Sequence, residues 1–290
     1  MMAQPIALTR GELDKFPLPP IAAASKDERG RVLIVGGSRN TPGSVAIAAT
    51  AAMRAGCGKV SIATVETMAP HVALAAPEAF LLGVTETREG AFARTAIGSV
   101  LERCESVDAV VAGPGMKRGK VCAELAKRLL ELGLDRLVLD AAMLYALPPH
   151  DDAAREAAMS ILLPHKREMA ALLGCDPQEV EEDPLACGLE CSARYGALTL
   201  IKGPQSHVVC PDGRVWKFEG GGPGLGISGS GDALAGILGG LLARGADPLT
   251  GLLWAVWLHG EAGASLSRKV GKVGFLAREI PAEVPALLPG

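Results

Sequence analysis

The chain has 290 residues, of which 49% are hydrophobic, and its formal net charge at pH 7 is −3. This composition is typical of a globular chain long enough for one large domain or two small ones. The charge excludes the basic surface that a nucleic-acid partner requires, and no apolar run is long enough to span a membrane. Residues 1–20 lack the apolar core of a signal peptide, so we expect a cytoplasmic protein.

Seven cysteines are scattered along the chain without a CxxC pair. An odd number of cysteines in a chain without a leader is typical of reduced thiols rather than of disulfides. We interpret all seven as packing residues, not as catalytic groups. They are Cys57, Cys104, Cys122, Cys175, Cys187, Cys191 and Cys210.

Short β-branched segments alternate with alanine-rich helical segments. Strands are predicted at 31–37, 59–64, 108–115, 136–141, 161–165, 197–203, 206–210 and 214–218, and helices at 44–56, 119–133, 166–173 and 177–195. This alternation predicts an α/β fold, in which a mostly parallel, doubly wound sheet has helices on both faces. The turn at 211–213 predicts that the last two strands form a hairpin at one edge of the sheet. No low-complexity linker divides the chain, so we expect one domain.

Polar and glycine residues collect where the predicted strands end. In such folds ligands bind outside the carboxyl ends of the strands. The residues at these junctions are Gly36, Gly37, Ser38, Gly113, Pro114, Gly115, Asp140, His165 and Lys202, together with the turn at 229–232. Their convergence predicts a ligand cleft along one rim of the sheet.

The turn Gly229-Ser230-Gly231-Asp232 is followed directly by an apolar helical segment. The first turn of a helix has unpaired N–H groups and the positive end of the helix dipole, which together bind anions. A carboxylate at Asp232, beside a bound phosphate, is placed to take a proton from an alcohol that is being phosphorylated. The alternative is that Asp232 only caps the helix. The glycine-rich run at 220–226 favours the ligand site, because such backbone freedom is entropically costly. We expect the helix dipole to lower the pKa of Asp232 slightly and a bound polyphosphate to raise it.

The order of five motifs, GGS, GPG, PHKRE, LIKG and GSGD, resembles that of the NAD(P)H-hydrate dehydratases of the ribokinase-like superfamily. The resemblance runs from about Leu8 to the end of the chain. It implies a single ribokinase-like domain over 1–290, with residues 1–28 as an N-terminal extension packed on it. It implies that NADHX or NADPHX, the hydrated cofactors, is converted to NAD(P)H at the expense of ADP or ATP. The hydrate hydroxyl is phosphorylated and then eliminated as phosphate, which makes the enzyme a lyase. Mg²⁺ and a homo-oligomer, such as a tetramer, are implied as well.

The resemblance also implies the roles of individual residues. Asp232 is the catalytic base, and the anion hole is formed by Gly229, Ser230 and Gly231. The nucleotide binds Lys202, Gly203, Pro204, Gln205, Ser206 and Gly231. The hydrated cofactor binds Ser44, Gly115, His165 and Asp232, and Glu168 helps to hold Mg²⁺ through water.

Each of these positions also has a purely structural interpretation. Gly115 is a common turn former, and His165 after a proline is typical of a capping or surface histidine. Lys202 at a strand end is ordinarily a solvated charge. Glu168 in a first helical turn is favoured by the helix dipole alone.

The chain departs from the family pattern at several pocket positions. Ser44 stands where the family usually has alanine, and Ala142 where it usually has a second aspartate. The other departures are Thr41 and Pro42 before the first helix, Lys166 and Arg167 beside the motif histidine, and Gly222 and Ile227 in the nucleotide turn. Two alternatives therefore remain open: a ribokinase-like kinase of another small alcohol, and a nucleotide-binding sensor without turnover.

Overall fold

A ten-stranded sheet crosses the molecule, as seen in a computed structural model that describes residues 4–20, 25–149 and 159–289. The strands are β1 (Ile6–Ala7), β2 (Arg31–Val35), β3 (Lys59–Val65), β4 (Phe80–Val84), β5 (Ala109–Ala112), β6 (Leu137–Leu139), β7 (Ile161–Leu162), β8 (Leu198–Ile201), β9 (Gln205–Val209) and β10 (Val215–Glu219). Their order in the sheet is β1-β10-β9-β8-β7-β6-β5-β2-β3-β4. Of the described strands, β9 alone runs antiparallel to its neighbours. The predicted mostly parallel sheet is therefore confirmed.

Helices cover both faces of this sheet. They are α1 (Arg10–Leu13), α2 (Gly43–Arg54), α3 (Ala69–Ala75), α4 (Ala96–Cys104), α5 (Lys120–Glu131), α6 (Lys166–Leu173), α7 (Pro177–Glu182), α8 (Pro184–Tyr195), α9 (Ser230–Ala243), α10 (Pro248–Lys269) and α11 (Ile280–Glu283). In β2, Val32 and Ile34 pack with α2, α9 and α10, whereas Leu33 and Val35 pack with α4 and α5. Side chains alternate between the faces of a strand, so each face has its own apolar core. None of the helices that the structure describes is both long and apolar enough to cross a membrane.

Several details of the prediction were wrong, including the absence of α3 and α4 from the predicted helices. The helix predicted at 177–195 is broken at Asp183, which caps α8 by accepting a hydrogen bond from the Ala186 amide at 2.9 Å. The hairpin of β9 and β10 is present, but β1 pairs with β10 and forms the edge. Strand β4 was not predicted, although Phe80–Val84 is a short apolar run; as the edge strand of the sheet it has mostly exposed or half-exposed side chains.

The predicted single domain covers residues 1–290, with an N-terminal extension over 1–28. Residues 1–3, 21–24, 150–158 and 290 of this range lie outside the described residues. Within the described part of the N-terminal segment, β1 adds to the sheet beside β10. The Trp254 indole donates a hydrogen bond to the Phe16 carbonyl at 2.7 Å. This segment is therefore held against α10 and β10.

Helices α2 and α9 approach each other unusually closely. A Cβ added to Gly236 would lie 2.1 Å from the Ala48 carbonyl oxygen, and one added to Gly240 would lie 2.5 Å from that of Ala52. Only glycine permits this approach. From the first contact to the second, the residue number rises by four, about one helical turn, in both helices. The two helices therefore run parallel, and their N-termini lie at the same end. Continued by one turn, this register places Ser44 beside Asp232.

The chain reverses direction across the sheet next to β2. It proceeds from β2 outward through β3 to β4, then returns to β5 on the other side of β2 and continues to β6. A crevice forms at such a switch point, outside the carboxyl ends of the two strands. The segments that follow β2 and β5 therefore define where a ligand can enter.

Candidate active site

Two glycine turns interlock at the switch point. The Gly37 amide donates a hydrogen bond to the Pro114 carbonyl at 2.7 Å, which joins the turn after β2 to the turn after β5. Gly115 follows with φ +67°, and a Cβ there would lie 2.8 Å from the Cβ of Ser44 and 2.6 Å from the Thr41 carbonyl oxygen. Gly115 is therefore more than a turn former, because any side chain would strike the start of α2.

The predicted anion site at 229–232 lies at the start of α9. Gly229 is the N-cap, with φ 91°, and the helix begins at Ser230. No side-chain capping bond is present, so Asp232 is not the helix cap. Within the described ranges, the amides of Gly229 and Gly231 have no hydrogen-bond acceptor, whereas the Ser230 amide donates to the Ile227 carbonyl at 3.3 Å. Two of the three predicted anion-hole amides are thus free to bind a ligand.

Burial changes the chemistry of Asp232. Its pKa is raised to about 6, chiefly by desolvation and in addition by the charge of Asp140, although the neighbouring Ser44 hydroxyl and Lys202 act to lower it. The expectation that the helix dipole would lower this pKa was wrong, because loss of water is the larger effect. A carboxyl with such a pKa is a stronger base than an exposed aspartate and is still ionised at neutral pH.

Three charged side chains, from the segments that follow β6, β7 and β8, form a cluster near the turn at 229–232. The Lys202 ammonium lies 2.7 Å from Asp140 Oδ1 and 3.9 Å from Glu168 Oε2. Burial lowers the pKa of Lys202, but the two carboxylates outweigh it and the net change is upward. The ammonium also lies 3.6 Å from where a Cβ of Gly231 would be. Lys202 is therefore not a solvated surface charge but a fixed cation beside the start of α9.

His165 and Glu168 form a capping box at the start of α6. The Glu168 amide donates to His165 Nδ1 at 3.1 Å, and the His165 amide donates to Glu168 Oε2 at 2.9 Å. Since Nδ1 accepts, the neutral imidazole carries its hydrogen on Nε2. His165 therefore has the capping role that its structural interpretation predicted, and it also lines the cavity described next. Glu168 lies in the first turn of α6, as its structural interpretation predicted, and caps the helix as well.

A cavity of about 860 Å³ lies between the ends of β8–β10 and helices α9 and α10. Among the predicted nucleotide positions, those that line it are Lys202, Gly203, Pro204, Ser206 and Gly231. The Gln205 side chain is not part of the lining and instead donates to Glu219 Oε1 at 3.0 Å. One wall is apolar and is formed by Leu200, Phe218, Leu225, Ile227, Leu234 and Val256.

The glycine run at 220–226 serves packing as well as the cavity. A Cβ on Gly224 would lie 2.3 Å from the Phe275 ring, and one on Gly221, at φ +83°, would lie 2.3 Å from Leu225. The remaining three glycines of the run line the cavity. The entropic argument for a ligand was therefore only part of the reason for these glycines.

Sequence reasoning missed His259 on α10. Its Nε2 lies 3.0 Å from Ser230 Oγ and 3.1 Å from the Ser230 carbonyl oxygen. The available signal was a single histidine directly after the apolar stretch at 251–258, which belongs to no recognised motif.

Few side chains near the start of α9 are placed to coordinate a metal ion directly. In the part of the chain that the structure describes, no group of three or more His, Cys, Asp or Glu side chains is arranged to hold a metal ion. One carboxylate oxygen of Glu168 caps α6, and Asp140 Oδ1 accepts from both Lys202 and the Ala141 amide.

The mostly parallel sheet with helices on both faces is a ribokinase-like fold. A family model described as NAD(P)H-hydrate dehydratase matches residues 32–286. The chain belongs to the NAD(P)H-hydrate dehydratase family.

Individual relatives agree with this assignment. The chain is 45% identical to the ADP-dependent (S)-NAD(P)H-hydrate dehydratase of Xanthomonas campestris, over 97% of this chain and 95% of the relative. It is 34% identical to the bifunctional NAD(P)H-hydrate repair enzyme of Moorella thermoacetica, of which it spans about half, 51%. The ADP/ATP-dependent NAD(P)H-hydrate dehydratase of Bacillus subtilis, co-crystallised with ATP and Mg²⁺, superposes with a TM-score of 0.84 at 25% identity, over 97% of each chain.

Proposed function

We propose that this chain is an ADP-dependent NAD(P)H-hydrate dehydratase, a metabolite-repair lyase that converts NADHX or NADPHX to NADH or NADPH. The observation that carries the proposal is the start of α9. There a buried carboxylate, Asp232, adjoins the free amides of Gly229 and Gly231 and the fixed cation of Lys202. A base, an anion site and a cation in one place are the requirements of phosphoryl transfer.

The nucleotide occupies the cavity beside α9. A volume of about 860 Å³ is within the range of small-molecule sites, and its apolar wall suits a base and ribose. The terminal phosphate lies at the Gly231 amide, where the helix start and the Lys202 ammonium both favour negative charge. Pro204 and Ser206, on the rim of the cavity, contact the nucleotide beyond its phosphates. The site takes ADP, or ATP placed in the same way.

The hydrated cofactor occupies the crevice at the switch point. Gly115 and Ser44 pack against each other and form one wall of this crevice, and Ser44 lies next to Asp232. His165, with its hydrogen on Nε2, donates to the substrate from the α6 side. The ring hydroxyl then lies between the carboxylate of Asp232 and the terminal phosphate.

The reaction has two stages. The hydrate hydroxyl attacks the terminal phosphorus and gives its proton to Asp232, while the bond from phosphorus to the leaving nucleotide breaks, which releases AMP when ADP is used. Hydroxide is a poor leaving group and phosphate is a good one. The ring nitrogen lone pair then expels the phosphate, and loss of a proton from the adjacent ring carbon restores the dihydronicotinamide. In sum, NADHX and ADP give NADH, AMP and phosphate.

The residues present fit a magnesium ion that is held mainly by phosphates and water. Glu168 uses Oε2 to cap α6, and Oε1 has no hydrogen-bond partner within the described residues, so it remains available to a metal-bound water. Mg²⁺ usually keeps several waters and needs few protein carboxylates. When bound, it would neutralise charge on the transferred phosphoryl group.

The proposal extends to the setting of the enzyme. All seven cysteines are free, which supports a reducing, cytoplasmic compartment. Leu74 on α3 is 85% exposed and Phe80 on β4 is 57% exposed, and such apolar surface supports a homo-oligomer, for which we propose a tetramer.

The test is incubation of the protein with NADHX or NADPHX and ADP or ATP, followed by the recovery of dihydronicotinamide absorbance. We expect recovery that depends on the nucleotide, with AMP formed from ADP. Phosphorylation of another alcohol without action on either hydrate would instead support the kinase alternative. Nucleotide binding without any turnover would support the sensor alternative.

A further inference from the structure

His259 contacts Ser230, one of the residues of the predicted phosphate site. It lies on α10, and its Nε2 faces both oxygens of Ser230, at 3.0 Å from Oγ and 3.1 Å from the carbonyl oxygen. Ser230 is the first residue of α9 and is buried, and both side chains reach the cavity beside the free Gly231 amide.

The two contacts fix the direction of the hydrogen bonds. A carbonyl oxygen can only accept, so the contact of Nε2 with the Ser230 carbonyl requires the hydrogen on Nε2. That N–H also lies within reach of Ser230 Oγ, which then accepts and keeps its own hydrogen free. Burial lowers the pKa of His259 to about 4, so the ring is neutral at physiological pH.

We propose that His259 is a positioning residue, whose Nε2–H holds Ser230 so that the Ser230 hydroxyl donates its hydrogen to the terminal phosphate of the nucleotide. The inference rests on the proposed function for the identity of that anion. It explains how Ser230 serves the anion site although its amide is bonded to Ile227. The hydroxyl supplies the donor that the amide does not.

A matched pair of polar variants tests the proposal. In His259→Gln the side-chain amide reaches the position of Nε2 and donates, whereas in His259→Asn it is too short to reach Ser230. We expect the dissociation constant of ADP, measured by calorimetry on the full chain, to stay within about threefold in His259→Gln and to rise about tenfold in His259→Asn, as for loss of a hydrogen bond to a charged group. Thermal unfolding of both variants controls for folding.

A double-variant cycle separates positioning from packing. We expect Ser230→Ala to weaken ADP binding about as much as His259→Asn, and the double variant to be no weaker than Ser230→Ala alone. The KM for the hydrated cofactor should stay unchanged throughout. The inference would be overturned if the fold loss of ADP affinity in the double variant equalled the product of the two single losses. An unaltered ADP affinity in His259→Asn would overturn it as well.

The same experiment keeps the two proposals distinguishable, because ADP binding needs no hydrated cofactor. A wild type that binds ADP but leaves NADHX unchanged contradicts the proposed function while the cycle still decides the role of His259. A wild type that binds neither ADP nor ATP contradicts both.

Discussion

The two halves of the proposed site are built in different ways. The nucleotide side is an open cavity with an apolar wall, and its polar groups are held by hydrogen bonds among themselves. The substrate side, at the switch point, is made of backbone and small side chains, with Gly115 pressed against Ser44. The nucleotide side therefore depends on fixed charges, and the substrate side depends on the absence of side chains.

The departures from the family pattern fall on both sides of the proposed site. Ser44 is a departure on the substrate side, and Gly222 and Ile227 are departures that line the nucleotide cavity. The charged groups that face the phosphate site, Lys202 and Asp232, are intact. Substitutions of small residues adjust the shape of a pocket, whereas loss of a buried charge removes the partner of another charge.

The largest effect should come from Asp232→Asn, which alters the one group shared by both sides. We expect turnover to fall by about a hundredfold or more and ADP affinity to change only a few-fold, as for loss of a positioned base. A variant that retains more than about a tenth of the wild-type rate would remove Asp232 from the mechanism.

The same variant should be more stable than the wild type. Because burial raises the pKa of Asp232 from 3.8 to about 6, the folded state binds the proton more tightly, and stability is lost as pH rises through that interval. Neutral asparagine avoids this loss, so its free energy of unfolding at pH 8 should be higher by at most about 3 kcal/mol. Denaturant unfolding at pH 8 measures the gain, and a loss of stability would contradict this account of burial.

Removal of magnesium tests the nucleotide side alone. We expect excess chelator to abolish nearly all turnover, because the described residues include no cluster of side chains that would hold the ion tightly against a chelator. Added Mg²⁺ should restore the rate. Undiminished turnover in excess chelator would contradict a role for the metal.

Lys202→Met removes the cation from the nucleotide side. Two buried carboxylates, Asp140 and Glu168, then lose their partner, so we expect a loss of about 3 kcal/mol in the free energy of unfolding and about tenfold weaker ADP binding. Gln205→Ala is the matched control, because that side chain faces Glu219 instead of the cavity. Equal losses in both variants would contradict a specific role for Lys202.

These residues also show what the sequence could and could not predict. The glycine turn at 229–232 was recognisable, because a helix start binds anions through local geometry. The ion pair of Lys202 with Asp140 was not, because it joins residues 62 positions apart through the order of β6, β7 and β8. The pKa of Asp232 was predicted in the wrong direction for the same reason, since burial depends on helices packed from elsewhere in the chain.

The smallest effect should come from Ser44→Ala on the substrate side. The wild-type rate should fall as pH drops through about 6, where Asp232 takes up a proton. Loss of the Ser44 hydroxyl raises the pKa of Asp232, so the midpoint should move to higher pH while the rate at pH 8 stays within about threefold. Ser206→Ala, on the nucleotide side, should leave the midpoint in place. A midpoint that moves equally in both variants would show that Ser44 has no specific effect on the base.

The central claim is that the hydroxyl of the hydrate leaves as phosphate, and an isotope label tests it directly. NADHX carrying ¹⁸O in its ring hydroxyl, turned over with ADP, should give phosphate that contains one ¹⁸O atom, because the bond from oxygen to phosphorus forms before the bond from carbon to oxygen breaks. Mass spectrometry of the phosphate measures the label. Unlabelled phosphate, with the ¹⁸O recovered in water, would contradict phosphorylation of the hydroxyl. It would mean that hydrolysis of the nucleotide and dehydration of the hydrate are separate reactions.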